Sequence, residues 1–434
     1  MSNNHISRRN FLGKSLAGMA GVTLMPSIYG FGSANESVRL GFIGMGRQSM
    51  FLLNGFMQVP GVEIMAGSDV YGVKRQRFEK RVKDFYSKNN KKLKDLKTYE
   101  NYQDLLARDD IDAVVIATPD HWHALIAIDA IKAGKDVYLE KPLTFTIREG
   151  QALRLAVRDN NRILGVGSQQ RSDPNFQQAV KLVQEGKIGR IQKINAYVGD
   201  PPTIYNLPKE EIPNDLNWDM WLGPNPYVHY NHELNPPISI NPPKDEQLWG
   251  AWRWYKEMGG GFTTDWGAHM FDIAQWGLNM DGSGPIEIIP AGYRNTPHLT
   301  YIYGNGVVMT EEPFNEDKTK GVKFWGNDGW IEVARGYFQG STPALKPEIS
   351  EDNGPYETKI PHQINFIESV RARKDPAVPV EIGHSSCTVC NLGNIAYELG
   401  RPVRWNPENE VFVNDVEATK FYHREYRDGY KLNV

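Results

Sequence analysis

The chain has 434 residues, 40% of them hydrophobic, which is enough for sizeable cores and for two domains. Its formal net charge of −3 shows no basic excess, so neither nucleic acid nor an anionic membrane surface is expected as a partner. The 2 Cys form one C-x-x-C pair, with no second pair to complete a zinc site and no thioredoxin-like context for a redox role.

Residues 1–34 read as a targeting segment rather than as fold. Ser7-Arg8-Arg9-Asn10-Phe11-Leu12 has the twin-arginine form, a weakly apolar stretch runs from Leu16 to Leu24, and Gly32-Ser33-Ala34 offers small residues for cleavage. The apolar part is too short to stay in a bilayer as an anchor. The expectation is a periplasmic protein that engages the twin-arginine export machinery. That route carries folded proteins, so a nucleotide cofactor can travel inside one.

From residue 35 to 165 strands and helices alternate, as in a parallel sheet with right-handed crossovers. Val38 to Ile43 reads as a strand, followed by Gly44-Met45-Gly46-Arg47-Gln48-Ser49 and an apolar-periodic helix. This is G-x-G-x-x-S, a dinucleotide fingerprint with serine in the third position, small enough for close helix–strand packing. The next strand ends in Asp69, 25 residues after Gly44. An acid there accepts hydrogen bonds from ribose hydroxyls and repels a 2′-phosphate, which favours NAD over NADP. Ile111 to Ala117 is a further strand, ending in Thr118-Pro119, and Asp120-His121-Trp122-His123 starts a helix.

Val137-Tyr138-Leu139 is another buried strand, and Glu140-Lys141-Pro142 follows without a spacer. Proline cannot donate to a sheet ladder and disfavours helical geometry at Lys141. A lysine and a glutamate therefore stand at the carboxyl end of a strand, where open α/β sheets place their ligands.

After Gly165 the texture changes, and 166–434 reads as a second, substrate-binding and oligomerisation domain with a C-terminal tail. A long Pro- and Asn-rich region from Asp200 to Pro243 carries Trp218-Asp219-Met220-Trp221-Leu222-Gly223-Pro224. It reads as an ordered, substrate-facing loop. Then come Trp252-Arg253-Trp254-Tyr255 and Gly260-Gly261 with Asp265 and His269. Short glycine-punctuated strands from Ile286 to Val333 point to a largely antiparallel sheet, with helices 362–373 and 385–399 packed on one side of it. Cys387 and Cys390 read as small buried hydrophobes.

The G-x-G turn, Asp69, Thr118-Pro119 with His121 and His123, Glu140-Lys141-Pro142 and Asp265-x-x-x-His269 together resemble the Gfo/Idh/MocA oxidoreductase family, over roughly Val38 to Val403. The resemblance implies a Rossmann domain followed by an α+β domain with a large, mostly antiparallel sheet. It implies cofactor contacts from Ile43, Gly44, Met45, Gly46 and Arg47, and from Asp69, Thr118, Pro119, His123, Glu140 and Lys141. Its catalytic lysine matches Lys141, and its acid and histidine match Asp265 and His269. A homo-oligomer is implied as well.

Oxidising a secondary alcohol removes a hydride and a hydroxyl proton, so a base must reach that oxygen. His269 is expected as that base, with Asp265 one helical turn before it to orient the ring. Lys141 is expected as a positioning acid, and the residues alone leave the choice of base between them open. A metal on Asp265, His269 and Asp272 is disfavoured because no further ligand cluster supports it. Arg171, Trp221, Arg253 and Trp254, with Asp265 and His269, are the candidate substrate contacts, the aromatic rings suiting a sugar. The expected activity is NAD-dependent oxidation of a sugar or glycoside hydroxyl, at C3 in one version, with the cofactor tightly held. Two alternatives are an NAD-dependent glycoside hydrolase working by oxidation, elimination, addition and reduction, and a non-catalytic exported sugar-binding protein.

Overall fold

Five short, largely apolar runs and one polar edge strand build the first sheet of the computed structural model, which describes residues 37–242, 249–345 and 360–432. The twin-arginine segment lies outside the described residues. Strands β1 (Val38–Ile43), β2 (Val62–Ser68), β3 (Lys97–Tyr99), β4 (Ala113–Ile116), β5 (Asp136–Leu139) and β6 (Leu164–Val166) pair in parallel in the order β3-β2-β1-β4-β5-β6. Alternate residues of the inner strands face opposite covered layers, which is why those runs are largely apolar, whereas the edge strand β3 is polar and partly exposed. Leu40, Phe42 and Tyr138 pack with Phe56 and Phe78 on one face, and Val114, Ile116 and Leu139 pack with Leu125 and Leu153 on the other. The order reverses between β1 and β4, and a ligand crevice forms outside such a switch point.

Nine strands form the second sheet, in the order β13-β12-β11-β7-β10-β9-β8-β14-β15. They are β7 (Ile191–Tyr197), β8 (Pro285–Ile289), β9 (Thr300–Tyr303), β10 (Val308–Thr310), β11 (Gly321–Gly326), β12 (Trp330–Ala334), β13 (Tyr337–Gly340), β14 (Val403–Asn406) and β15 (Val411–Phe412). Only β7 and β10 run parallel, so the expected mostly antiparallel sheet is present. Helices Pro174–Gln184, Gly267–Gly277 and Val380–Leu399 lay Phe176, Phe271 and Leu392 onto its Ile194, Tyr301 and Phe324.

One helix is placed differently from expectation. Pro361–Ala372 packs Phe366, Ile367 and Val370 against Phe56 and Tyr138 of the first layer rather than against the second sheet. Phe366 meets Tyr138 edge-on at 5.5 Å, a long-range aromatic match with no local signal.

Arg171 is also redirected. Its guanidinium is 3% exposed and donates to both carboxylate oxygens of Asp272 and both of Asp281, and it lines neither of the two large cavities. Ser386 donates to the same Asp272. Arg171 is therefore a structural cross-link and not the substrate contact expected of it. Arg171→Ala leaves two carboxylates without their cation, so a loss of about 3–5 kcal/mol is expected in urea unfolding at neutral pH.

The region after β7 closes over the first domain. Leu216, Trp218, Trp221, Leu222, Tyr230, Leu234 and Trp252 form a common core with Tyr71, which precedes helix Gly72–Lys88. Tyr71 pairs with Leu216 as an isolated bridge, and Gly72 N–H donates to Asp215 O at 2.8 Å. The C-terminal tail clamps this region from outside. Arg427 donates to the Asp219 carbonyl at 2.9 Å, and Arg424 donates to Glu257 O at 2.9 Å while lying 4.1 Å over the Phe145 ring.

Candidate active site

Two adjoining cavities meet at the carboxyl ends of β1, β4 and β5. The first spans about 860 Å³, its open mouth included, and is lined by the 43–48 turn, Asp69, Thr118, Pro119, Trp221, Asn235 and Trp249. The second spans about 1600 Å³, its open mouth included, and is lined by Glu140, Lys141, Asp120, Asp265, His269 and Arg335. Arg47, Trp249 and Arg253 border both. The two guanidiniums lie 4.8 and 4.9 Å from the Trp249 ring, with Trp249 set between the cavities as a cation–π divider.

The first cavity has the features of a dinucleotide cradle. Gly44 has φ +80°, and a Cβ there would lie 2.8 Å from Ala117 O, so only glycine permits this approach of the two strand ends. A Cβ on Gly46 would meet open space. Gly46 caps helix Arg47–Phe56, whose first turn holds no acidic residue and no side-chain cap, so its N-terminal N–H groups are available to an anion. Ser49, the third fingerprint position, is fully buried, consistent with a packing role. Thr118 Oγ1 is a buried hydroxyl without a partner among the described residues. Asp69 accepts from Met45 N–H at 2.7 Å and from Tyr71 N–H at 2.9 Å, which holds its carboxylate beside the turn with lone pairs to spare. These groups fit a dinucleotide with a free ribose 2′-hydroxyl.

The expected contacts Ile43, Gly44, Met45, Gly46, Arg47, Asp69, Thr118 and Pro119 line the first cavity, and Glu140 and Lys141 line the second. His123 lines neither. It is buried between Pro142 O at 2.7 Å and Thr118 O at 3.1 Å, and burial pushes its pKa down to about 4. The neutral ring has one N–H and so donates to only one of these carbonyls, next to the turn that carries Lys141. His121 is likewise locked, between Met258 O and Trp221 O. Trp221 also departs from expectation. It stacks on Trp218 at 4.5 Å and faces the nucleotide cavity, because its loop folds back onto the first domain. Trp254, stacked on Phe262 at 4.1 Å, does line the second cavity.

Glu140 is buried and fully engaged, accepting from Gln48 at 2.9 Å, Gln169 at 2.8 Å and Lys141 N–H at 3.2 Å. Burial raises its pKa. A Cβ on Gly167 would come within 2.8 Å of this carboxylate, so the residue after β6 must be glycine for Glu140 to fit.

Lys141 Nζ donates to Asp265 Oδ1 and to Asp265 O, 2.8 Å each. The second bond caps the end of helix Gly261–Asp265, so the ammonium meets a carboxylate and a helix C-terminus together. Burial alone would raise the Asp265 pKa, but Lys141 and Arg253, the latter 3.5 Å away, outweigh it and hold the carboxyl below its usual range.

The expected Asp265–His269 contact is not made. No hydrogen bond joins them, although Trp266 between them keeps helical backbone angles and both side chains line the second cavity. A cation competes for Asp265 and wins it. His269 Nε2 instead lies 3.1 Å from an Arg335 N–H, and its Nδ1 is buried without a partner among the described residues. Arginine can only donate, so Nε2 accepts and the ring proton sits on Nδ1. Burial, then Lys141 and Arg335, push the His269 pKa well below its usual value. It is a neutral donor here, with its acceptor lone pair already in use.

Sequence reasoning missed Arg335 and passed over Asp120 as a helix start. Arg335 sits in the β12–β13 turn, where nothing local marks it. Asp120 had a usable signal: it follows the end of β4 by the same rule that singled out Lys141.

Two family models cover most of the chain. One, described as the oxidoreductase family's NAD-binding Rossmann fold, matches residues 38–168, and the other, its C-terminal alpha/beta domain, matches 195–432. NAD is thus the cofactor of the first cavity. The chain is 33% identical to a "Glycosyl hydrolase family 109 protein" of Shewanella baltica (strain OS185) over 167 residues, 34% of this chain and 36% of that one. It is 31% identical to the "Uncharacterized oxidoreductase YrbE" of Bacillus subtilis (strain 168) over 171 residues, 39% of this chain and 47% of that one. These matches span between about a third and a half of the relatives' lengths. Among solved structures, levoglucosan dehydrogenase in complex with NADH superposes with a TM-score of 0.58 at 18% identity, covering 85% of this chain and 99% of that one. The WlbA dehydrogenase from Bordetella pertussis, in complex with NADH and UDP-GlcNAcA, gives 0.59 at 18% identity, covering 86% and 99%. At such identity these superpositions speak to the fold alone. Matched in both halves, the chain belongs to the Gfo/Idh/MocA oxidoreductase family.

Proposed function

We propose that the protein oxidises a secondary hydroxyl of a sugar or glycoside, working outside the cytoplasm with NAD retained in the first cavity. The observation that carries this reading is the Lys141–Asp265 pair at the floor of a cavity walled by Trp249, Trp252, Trp254, Phe262 and Trp266. Aromatic faces pack against the C–H faces of sugar rings. NAD, when bound, supplies a hydride acceptor. Lys141 Nζ donates to the reacting oxygen while Asp265 fixes its direction, and the stranded His269 Nδ1–H offers a second donor to the substrate. Both donors strengthen as charge develops on that oxygen, and the aromatic walls exclude water around them.

A second reading, favoured by the family 109 relatives, is a glycoside hydrolase in which oxidation acidifies the neighbouring C–H, the aglycone is eliminated, and water addition and reduction follow. One experiment separates the two. The protein, purified without added nucleotide, is denatured and the released cofactor identified by mass spectrometry. The native protein then meets a glycoside panel while reduced nicotinamide and free aglycone are followed. Reduced nicotinamide or a keto-sugar with the aglycone still attached is the expected result. Aglycone release without net reduction establishes the hydrolase instead. Absence of both turnover and bound nucleotide leaves a sugar-binding protein.

A further inference from the structure

The segment between β7 and β8 belongs to the second half of the chain, yet Trp221, Leu234, Asn235, Pro236 and Trp249 line the first cavity. Asn235 is the polar group among them with a fixed direction. Leu234 before it is fully buried in a core with Tyr71, Trp218 and Trp252, and its N–H donates to Asn231 O at 3.1 Å. Pro236 after it disfavours helical geometry at Asn235. The side chain therefore enters the cavity wall from a backbone held on both sides.

Asn235 is 3% exposed, and Lys74 Nζ donates to its Oδ1. An ammonium can only donate, so Oδ1 faces Lys74 and the Nδ2 branch of the amide points elsewhere. Nδ2 is buried and has no partner among the described residues. A buried donor without an acceptor is unfavourable in a native fold, and this one lies in a cavity wall where a ligand can satisfy it.

Lys74 and Asp69 line the same cavity. Burial lowers the Lys74 pKa and Asp69 opposes that shift, so the ammonium lies within reach of the Asp69 charge. A ribose presents two adjacent hydroxyls, each with one hydrogen to give and lone pairs to fill. Asp69 can take the hydrogens, but a carboxylate has nothing to offer the lone pairs. Asn235 Nδ2 and Lys74 Nζ are the donors that complete such a site.

We propose that Asn235 is a cofactor-binding residue, donating from Nδ2 to the adenosine ribose hydroxyls of NAD opposite Asp69, with Lys74 beside it. The inference rests on NAD in the first cavity and holds whichever reaction the second cavity runs. NAD release then requires the segment carrying Asn235 to lift away, so this residue slows the departure of the cofactor. Aspartate separates this role from a structural one. If Asn235 served only to hold Lys74, aspartate would do so better, because it gives the ammonium an ionised partner. If Nδ2 serves the nucleotide, aspartate removes the donor and turns a second carboxylate on the ribose oxygens.

The test follows exchange of bound NAD for isotopically labelled NAD by mass spectrometry, using the chain with its nucleotide in place. Asn235→Ala is expected to release NAD about 10-fold faster than wild type, and Asn235→Asp about 10²-fold faster. Nucleotide-free Asn235→Asp should melt no lower than nucleotide-free wild type, since Lys74 keeps its partner. A second measurement places the contact. In equilibrium competition wild type is expected to prefer NAD to the analogue whose adenosine ribose is 2′,3′-dideoxy, and Asn235→Ala to lose about 10-fold of that preference. This ratio is read on folded protein and does not depend on the stability of the variant. Asn235→Asp that holds NAD as long as wild type overturns the proposal, and so does Asn235→Ala that keeps the full preference over the dideoxy analogue. In either case NAD remains the cofactor of the first cavity. A wild-type chain that neither carries nor takes up NAD removes that assignment and the proposal with it.

Discussion

Lys141→Met is expected to lower kcat by about 10³-fold, the scale of losing a principal donor to a developing oxyanion. The physical basis is the two 2.8 Å bonds to Asp265, which fix the ammonium in place before substrate arrives and leave its remaining donor for the reacting oxygen. Methionine keeps much of the side-chain volume and removes the charge. The cradle for NAD lies in the neighbouring cavity, so nucleotide affinity should change little. Stopped-flow reduction of bound nucleotide, with the affinity titrated separately, checks both halves. Loss of nucleotide binding alongside the rate would count against the assignment, because it would make Lys141 a cofactor residue first. Asp265 keeps Arg253 at 3.5 Å in this variant, so the fold should survive.

Gly44→Val is expected to abolish nucleotide retention. At φ +80° a β-branched residue is strained, and its Cβ would press on Ala117 O at 2.8 Å and Thr118 Cγ2 at 2.9 Å. The turn must open to relieve this, which moves the uncapped helix N-terminus that would face the phosphates. A cost of about 3 kcal/mol corresponds to roughly 100-fold in affinity. Isothermal titration with NAD measures it, and mass spectrometry of the purified variant shows whether nucleotide is still carried. Substitution at Gly46, whose Cβ direction is open, should leave the fold intact and act on binding alone.

Much of this site is legible in the amino-acid sequence alone. The strand–turn–helix at Val38–Phe56, Asp69 at the end of β2 and Lys141 at the end of β5 follow from short apolar runs interrupted by Gly, Asp and Pro. Those signals are local, and parallel strands must present their carboxyl ends together, so the crevice comes with them. The antiparallel second sheet is legible for the same reason, from glycine-punctuated strands. The elements that depart from expectation are those whose faces are chosen by distant partners. Helix Pro361–Ala372 packs on Tyr138 instead of the second sheet, and Trp221 lies on the nucleotide side because its loop buries against Tyr71.

The sequence by itself determined the α/β class and the dinucleotide fingerprint, and its resemblance to a known family implied Lys141, Asp265 and His269 in one site. Only the tertiary structure decided who pairs with whom. Asp265 and His269 are four residues apart yet not bonded to each other, because Lys141 takes the carboxylate and Arg335 the imidazole. Lys141 and Asp265 are 124 residues apart yet bonded. Arg171 was claimed by Asp272 and Asp281, and Arg335 claimed His269. Periodicity and turn chemistry act over a few residues and survive in one dimension. Which buried charge meets which is settled by low-dielectric packing among several candidates, where each ion takes the partner that best offsets its lost hydration.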